Sequence, residues 1–347
     1  MLEQFGRQLA AAQSLSDAQV HEAVELLTDE KIPAAAKADF LTALAQKGES
    51  PEEIAAFARA LRDKSVPPPL DPATRAREIL DVVGTGGDRH GTFNISTTAA
   101  LVCAGAGVTV AKHGNRAVTS QAGSADVLEA LGVRIDLPPP EAARWLSAHA
   151  FAFFFAPAYH PAFKHIAAAR KLCAQRGQRT IFNFLGPLLN PAHPSVMLVG
   201  VPQPELCEPL ARVLQSLGVR RAMVVCGSAA AAGYLDELST LGDNTIAEFY
   251  QERALAVSVL SAAAFARQPG RLADLLGGGK TENADIVRRI LRGEERGPKR
   301  DAVLLNAAAA LFVAGRARTI EAGWALAEST LDAGHAAAKL RELGGSI

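Results

Sequence analysis

A glycine-rich stretch, Gly84–Thr97, contains residue types suited to binding an anion. It reads GTGGDRHGTFNIST, follows a short apolar run and precedes a run of small residues. Glycines let the backbone approach a ligand closely, and consecutive N–H groups can line an anion-binding concavity. Asn94, Ser96 and Thr97 then lie at a predicted helix N-terminus, which also favours anions. The spacing matches neither the Rossmann nor the P-loop pattern, so a tight connection without a ligand is the alternative interpretation.

A second loop, Lys112–Ser120, combines two cations with hydroxyls and flexible backbone. It reads KHGNRAVTS and is followed by Gly123 and Ser124. Lysine, arginine and exposed N–H groups together favour a polyanion such as a pyrophosphate. The alternative is a solvated basic loop.

Two further segments carry charged side chains, one suited to binding a metal and the other to binding a carboxylate. The adjacent carboxylates Asp236 and Glu237 in YLDELS are hard oxygen ligands of the kind that Mg²⁺ prefers. A bare Asp-Glu pair, however, is usually a solvated turn. In the other segment, Arg170, Arg176 and Arg179 follow HPAFKH, and a guanidinium can hold a carboxylate through two parallel hydrogen bonds. Composition alone would favour an exposed helical arginine.

The first 66 residues are predicted to be helical, and a proline-rich linker follows them. Ser16 with Gln19, and Ser50 with Glu53, form capping-box patterns at two helix starts. The run VPPPL at 66–70 cannot continue a helix.

Beyond the linker, short strands alternate with helices. This alternation predicts βαβ units in a largely parallel sheet, which binds ligands at the carboxyl ends of its strands. The predicted strands are Ile79–Val83, Val108–Ala111, Phe151–Phe155, Val196–Val201 and Ala222–Val225. The predicted helices are Thr97–Gly105, one that Ser124 caps and that runs to Leu131, and two alanine-rich helices within Arg300–Leu343, separated near Gly315.

Composition narrows the functional class. The 347 residues include 36 Lys plus Arg and 36 Asp plus Glu, so zero net charge argues against a general nucleic-acid binder. The four cysteines are widely spaced without a CxxC pair, so a disulfide framework or thiolate zinc site is not expected. The N-terminus lacks the features of a signal peptide, and no apolar run is long enough for a membrane span. We therefore expect a soluble, cytoplasmic protein.

The motifs together resemble the anthranilate phosphoribosyltransferase family over nearly the whole chain. The resemblance rests on DVVGTGGDRHGTFNIST, VAKHGNRAVTSQAGSADVLEALG, SPEEIAAFARALR, FAPAYHPAFKHI, RTIFNFLGPLLNPA, LDELS, ENADIVRRILRGE and RDAVLLNAAAALFVAG. It implies an α/β fold shared with nucleoside phosphorylases, with a small N-terminal helical domain and a larger α/β domain around a mainly parallel central sheet. The implied boundaries are 1–66 for the helical domain, joined by helices from about 160–180, and 71–347 for the phosphoribosyl-transfer domain. The resemblance also implies a homodimer.

The same resemblance implies an activity in tryptophan biosynthesis and a set of site residues. Anthranilate would attack phosphoribosyl pyrophosphate, releasing pyrophosphate with Mg²⁺ as cofactor. Carried over by motif, the phosphoribosyl pyrophosphate contacts would be Gly84, Gly87, Asp88, Thr92, Asn94, Ile95, Ser96, Thr97, Lys112, His113, Gly114, Asn115, Arg116, Ala117, Val118, Thr119, Ser120 and Ser124. Anthranilate would contact Gly84, Asn115 and Arg170, and the metal would be bound by Ser96, Asp236 and Glu237. No residue is assigned as a general acid or base.

The chain departs from the family pattern mainly near the implied acceptor site. Lys171–Gln178 is about three residues longer than usual, Ala168 replaces a proline, and Cys226 replaces a histidine. Thr119 replaces a serine but keeps its hydroxyl. Two rival functions are open. One is nucleoside phosphorolysis, whose enzymes lack the GTGGD and KHGNR pairing. The other is nucleic-acid binding by a degenerate relative, which should lose the KHGNR or LDE residues and gain a basic surface.

Overall fold

The computed structural model describes residues 1–117, 121–251 and 254–347. The chain begins with four helices, two of which start at the predicted capping boxes of Ser16 and Ser50. They are α1 (Leu2–Ala10), α2 (Asp17–Thr28), α3 (Ala34–Lys47) and α4 (Pro51–Asp63).

Alternating helices and strands occupy the middle of the chain. In order, they are α5 (Pro72–Arg75), β1 (Ile79–Gly84), α6 (Ile95–Gly105), β2 (Thr109–Gly114), α7 (Ser124–Ala130), α8 (Pro139–His149), β3 (Phe151–Phe155), α9 (Ala156–Tyr159), α10 (Ala167–Gln175), α11 (Phe182–Leu185), β4 (Val196–Gly200), α12 (Cys207–Ser216) and β5 (Arg221–Ser228). The remaining elements are β6 (Tyr234–Leu235), β7 (Asn244–Tyr250), β8 (Ala256–Leu260), α13 (Lys280–Leu291), α14 (Pro298–Val313), α15 (Ile320–Asp332) and α16 (His335–Glu342).

The eight strands of the described residues form one sheet in the order β3-β2-β1-β4-β5-β7-β8, with β6 paired to β5. The first five strands of this order are parallel, whereas β6, β7 and β8 run antiparallel to their neighbours. The chain passes from β1 outward to β2 and β3 and then returns to place β4 on the other side of β1. This reversal creates a switch point at the carboxyl ends of β1 and β4, where open α/β sheets bind ligands.

Helices cover both faces of the sheet because the inner strands are apolar on both sides. In β4, Val196 and Leu198 belong to the core that contains α6, α13 and α14. The alternate residues Met197 and Val199 belong to the core that contains α1 to α4 and α12. Among the described residues, every helix is too short or too polar to cross a membrane.

The structure corrects several of the predicted element boundaries. Helix α6 begins at Ile95, two residues before the expected start. Gly123 precedes α7, so Ser124 is its first helical residue and not its cap. The C-terminal segment forms three helices, α14 to α16, where two were expected, because Gly334 interrupts the second with a left-handed backbone. The antiparallel strands β7 and β8 were not anticipated.

Glycines at the strand ends let a later segment cross the sheet edge closely. Gly84 and Gly200 are register partners in β1 and β4. A Cβ atom on Gly200 would lie 1.6 Å from the main-chain oxygen of Asp236, and one on Gly227 would lie 2.5 Å from that of Glu237. The segment 236–239 therefore lies directly on strand ends that have no side chains.

We expect Gly200→Ala to lower the free energy of unfolding by about 3 kcal/mol, since a buried overlap with backbone forces both segments apart. Urea denaturation measures this change. Gly6→Ala is the matched control, because Gly6 lies inside α1 with no atom within 4 Å of the added methyl group. That control should raise stability by about 0.5 kcal/mol, and equal effects of the two substitutions would contradict the steric explanation.

Candidate active site

The carboxylate of Asp236 is buried against the glycine-rich turn that follows β1. Asp236 is 7% exposed, and its Oδ2 accepts hydrogen bonds from the Gly86 and Gly87 N–H groups, with 3.3 Å to the Gly87 nitrogen. The Asp236 N–H donates to Asp88 Oδ2 at 3.4 Å. The interpretation of LDELS as a solvated turn is therefore wrong, because glycine-lined strand ends bring this segment into the interior.

A half-buried Glu237 and a buried Lys112 are charged side chains at the same edge of the sheet. Glu237 Oε1 accepts a hydrogen bond from the Ser96 N–H at 3.2 Å, in the first turn of α6. The Lys112 side chain is 1% exposed, and its Nζ donates to the Val82 carbonyl at 2.7 Å. Burial lowers the pKa of Lys112, and the nearby carboxylates of Asp81 and Glu237 offset only part of this shift.

The acidic residues at this edge carry more negative charge than their surroundings compensate. Burial raises the pKa of Glu237 to about 7, with Lys112 opposing the shift. Burial, reinforced by repulsion from Asp88 and Glu237, holds the pKa of Asp236 well above its usual range. An added divalent cation would relieve this repulsion.

The donor set is compatible with a hydrated cation but not with an all-protein cage. No group of three or more His, Cys, Asp and Glu side chains in the described residues has the geometry to hold a metal. Mg²⁺ usually binds through one or two carboxylates, keeping waters and sharing substrate phosphates. Asp236 and Glu237 fit this requirement, and the predicted third ligand, Ser96, already contacts Glu237 through its N–H.

The loop after β2 folds tightly onto the N-terminus of α7. A Cβ atom on Gly114 would lie 2.2 Å from Ser124 Oγ, and the Asn115 carbonyl accepts from the Ala125 N–H at 3.2 Å. Asp126 Oδ2 accepts from the Ala117 N–H at 2.8 Å and from the Gly123 N–H at 2.9 Å. Asp126 thus connects Ala117 with Gly123. The predicted contacts Val118, Thr119 and Ser120 lie outside the described residues.

Arg116 points toward α7 and pairs with two carboxylates there. Its guanidinium lies 2.8 Å from Glu129 Oε1 and 3.0 Å from Asp126 Oδ1, and its side chain is 45% exposed. Lys280 lies 3.8 Å from the same Glu129. The structure therefore separates Arg116 from Lys112, although the sequence places them in one loop. Exposed pairs of this kind contribute little stability.

The remaining residues predicted to contact phosphoribosyl pyrophosphate are held in place by neighbouring parts of the fold. Ile95 and Thr97, in the first turn of α6, are both buried. Thr92 forms a bridge with Leu276. Asn94 is fixed by its neighbours, because Oδ1 accepts from Asn283 at 2.9 Å and Nδ2 donates to the Ala122 carbonyl at 3.2 Å.

A row of aromatic rings leads away from the lysine-bearing strand. His113 contacts His160 with ring centroids 5.3 Å apart, and His160 stacks on Phe163 at 5.2 Å. Phe163 meets the edge of Phe182 at 5.6 Å. Burial lowers the pKa of His113 to about 3 and that of His160 to about 4, so both are neutral at pH 7.

Arg170 lies at the far end of this row and has no carboxylate partner within 4 Å among the described residues. Its guanidinium lies over the Phe182 ring, 5.2 Å from the centroid. Arg170 is accessible to solvent, yet desolvation by the surrounding protein lowers its pKa. Arg176, by contrast, pairs with Asp39 at 2.9 Å on α3.

Several positioning residues escaped prediction from the sequence. Asp126 occupies the third position of a helix, a capping signal that could have indicated its role. His160, Phe163 and Asn283 lie in quoted motifs, but only the fold shows which neighbours they contact. Gly84 and Gly87 both lie against neighbouring segments: a Cβ atom on Gly84 would meet Asp236, and one on Gly87 would meet Pro202.

Comparison with known proteins agrees with this arrangement. Residues 4–65 match the helical bundle domain of a glycosyl transferase family, and residues 76–337 match the α/β domain of a glycosyl transferase family. Anthranilate phosphoribosyltransferase of Moorella thermoacetica is 47% identical over 343 residues, which are 99% of this chain and 97% of the relative.

Solved structures of the same kind superpose over nearly the full length. The anthranilate phosphoribosyltransferase of Thermus thermophilus has a TM-score of 0.88 and 41% identity, covering 98% of both chains. The Saccharomyces cerevisiae enzyme in complex with PRPP and Mg has a TM-score of 0.86 and 28% identity, covering 99% of this chain and 96% of its own. Its complex with 4-fluoroanthranilate has a TM-score of 0.85 and 27% identity, with the same coverage. Given this identity across both domains, the chain belongs to the anthranilate phosphoribosyltransferase family.

Proposed function

We propose that this protein transfers the phosphoribosyl group of phosphoribosyl pyrophosphate to the amine of anthranilate, giving N-(5-phosphoribosyl)anthranilate and pyrophosphate in tryptophan biosynthesis. The observation that carries the proposal is one arrangement of charge. Backbone amides, a buried lysine and an acidic pair meet at the switch point of the sheet, and a row of rings leads from them to an arginine that, among the described residues, has no carboxylate partner.

The part of the site around Lys112 and the acidic pair is suited to the diphosphate of the phosphoribosyl donor. The Ser96 N–H at the start of α6 and the Lys112 ammonium supply positive potential to an oxyanion. Asp236 and Glu237 would hold Mg²⁺, which when bound neutralises charge on the diphosphate. Arg116 would have to leave Glu129 to reach the same group, and breaking an exposed pair costs little.

The acceptor end is suited to an aromatic carboxylate. Arg170 can hold a carboxylate in fork geometry, and Phe182 and Phe163 provide apolar surface beside it. The longer segment Lys171–Gln178 forms the last part of α10 and the turn after it. Because Arg176 already pairs with Asp39 whereas Arg170 has no carboxylate partner among the described residues, we infer that Arg170, and not Arg176, binds the acceptor.

The chemistry depends on positioning and on stabilising the leaving group. Separation of pyrophosphate from the ribosyl carbon leaves an oxocarbenium-like centre that the uncharged amine attacks. Burial lowers the pKa of His113 to about 3, so this imidazole is a weak base, and we assign no general base. Orientation of the two substrates would then supply much of the rate.

Packing supports the proposed division of the chain into domains of residues 1–66 and 71–347, with helices from about 160–180 joined to the first. Lys37 Nζ donates to the His165 carbonyl at 2.8 Å, and Cys173 Sγ donates to the Ala38 carbonyl at 3.5 Å. Both contacts connect α3 with the α10 region. The homodimer and the cytoplasmic location stay predictions from the resemblance and the composition.

The function is tested by following the fluorescence of anthranilate. We expect a loss of fluorescence that requires phosphoribosyl pyrophosphate and Mg²⁺ together. A parallel reaction with inorganic phosphate and nucleosides should release no free base. Phosphorolysis in that reaction, with unchanged anthranilate fluorescence, would refute the proposal in favour of a nucleoside phosphorylase.

We predict that Arg170→Ala raises the KM for anthranilate well over tenfold and changes the KM for phosphoribosyl pyrophosphate much less. Loss of a charged, bidentate hydrogen bond to a carboxylate costs about 2–3 kcal/mol. Steady-state kinetics with each substrate varied in turn measure the two constants. Arg176→Ala is the matched control, since it removes only an exposed pair with Asp39. A selective anthranilate defect in Arg176→Ala alone would show that the arginine assignment is wrong.

We predict that Glu237→Gln raises the Mg²⁺ concentration for half-maximal activity by roughly tenfold or more, because a neutral amide is a poorer ligand for a hard cation. The substitution keeps the side-chain shape and an acceptor for the Ser96 N–H. Glu208→Gln is the control, since Glu208 is exposed on α12 and pairs with Arg212. Identical Mg²⁺ titrations of the two variants would exclude Glu237 as a metal ligand.

A further inference from the structure

The acidic pair lies on a buried stretch of backbone outside every strand and helix. Strand β6 ends at Leu235 and β7 begins at Asn244. Leu238 and Ser239, the two residues after Glu237, are fully buried. Buried main-chain N–H and C=O groups require hydrogen-bond partners, so something other than a sheet ladder must satisfy this backbone.

Asn306 of α14 supplies both partners for Leu238. Its Oδ1 accepts from the Leu238 N–H at 3.0 Å, and its Nδ2 donates to the Leu238 carbonyl at 2.8 Å. Nδ2 also donates a hydrogen bond to the Ala302 carbonyl of the same helix, at 2.9 Å. Asn306 is fully buried within an otherwise apolar stretch of α14.

Asn244, at the start of β7, does the same for Ser239. Its Oδ1 accepts from the Ser239 N–H, with 2.6 Å between the heavy atoms, and its Nδ2 donates to the Ser239 carbonyl at 3.0 Å. Asn244 is also fully buried, and Nδ2 lies within 3.2 Å of the Gly242 and Leu260 carbonyls. Two consecutive residues are thus held by side-chain amides from two different elements.

Each amide makes the paired N–H···O and C=O···H–N contacts that a neighbouring antiparallel strand would make. The contacts occur beside three acidic residues, because Asp236 and Glu237 are adjacent in the chain and the Asp236 N–H donates to Asp88 Oδ2 at 3.4 Å. Repulsion between like charges favours moving the segment apart. Fixed hydrogen bonds to the adjacent main chain oppose that movement.

We propose that Asn306 and Asn244 are positioning residues that hold the Asp236-Glu237 pair in place for a divalent cation. This inference rests on the proposed role of the pair in binding Mg²⁺. Both asparagines act through the backbone of Leu238 and Ser239, to which their amides are bonded. Substituting a residue that orients the metal ligands without touching the metal typically weakens metal affinity by about 10–100-fold.

The test measures metal binding directly. Electron paramagnetic resonance counts free Mn²⁺ in mixtures of the full chain with inorganic pyrophosphate, and thermal unfolding reports stability. We expect Asn306→Ala and Asn244→Ala each to weaken Mn²⁺ binding by roughly tenfold, with the KM for anthranilate unchanged. Asn306→Ser, whose hydroxyl is too short to bridge both groups of Leu238, provides a milder variant if the alanine variant does not fold.

Leu311→Ala is the control for a general loss of stability. Leu311 is fully buried in the same helix, five residues beyond Asn306, so its truncation should lower the unfolding temperature without changing Mn²⁺ affinity. Wild-type affinity in folded asparagine variants, or an equal loss in Leu311→Ala, would overturn the positioning role alone. A wild-type chain that binds no Mn²⁺ with pyrophosphate would overturn the proposed metal site as well.

Discussion

Burial of negative charge at the carboxyl edge of the sheet is the constraint on which the other features depend. The segment 236–239 reaches this edge because Gly84, Gly200 and Gly227 have no side chains to exclude it. Once there, its carboxylates require the N–H groups of the glycine-rich turn and of α6, together with the ammonium of Lys112. The glycine-rich turn, the start of α6, Lys112 and the acidic pair are therefore parts of one electrostatic arrangement, in which the N–H groups and the ammonium offset part of the negative charge.

Much of the architecture could be predicted from local sequence. Capping residues at Ser16 and Ser50 marked helix starts, and apolar runs marked the five parallel strands. The antiparallel strands β7 and β8 were missed because β7 mixes polar residues with apolar ones and β8 is a short, exposed edge strand. The division of the C-terminal segment at Gly334 was missed because a glycine among alanines gives little local signal.

The site was less predictable than the fold, because its properties arise from contacts between distant residues. Composition favoured a solvated Asp236-Glu237 pair, and only the family resemblance indicated a metal role; the burial depends on glycines far away in sequence. Lys112 lies in β2 and Arg116 lies just after it, yet they point to different partners, since helix α7 presents Glu129 to only one of them. The neutrality of His113 follows from its burial beside His160, which the spacing of the residues does not reveal.

The row of rings between His113 and Arg170 also bears on a competing reaction. A ribosyl centre that has lost pyrophosphate reacts with any nucleophile within reach, including solvent water. The rings of His160, Phe163 and Phe182 contact one another in a continuous row that carries no charge at neutral pH. In the proposed reaction, these rings would exclude water from the ribosyl centre while the acceptor is bound. The side chains that receive the aromatic amine would then also limit the hydrolysis of phosphoribosyl pyrophosphate.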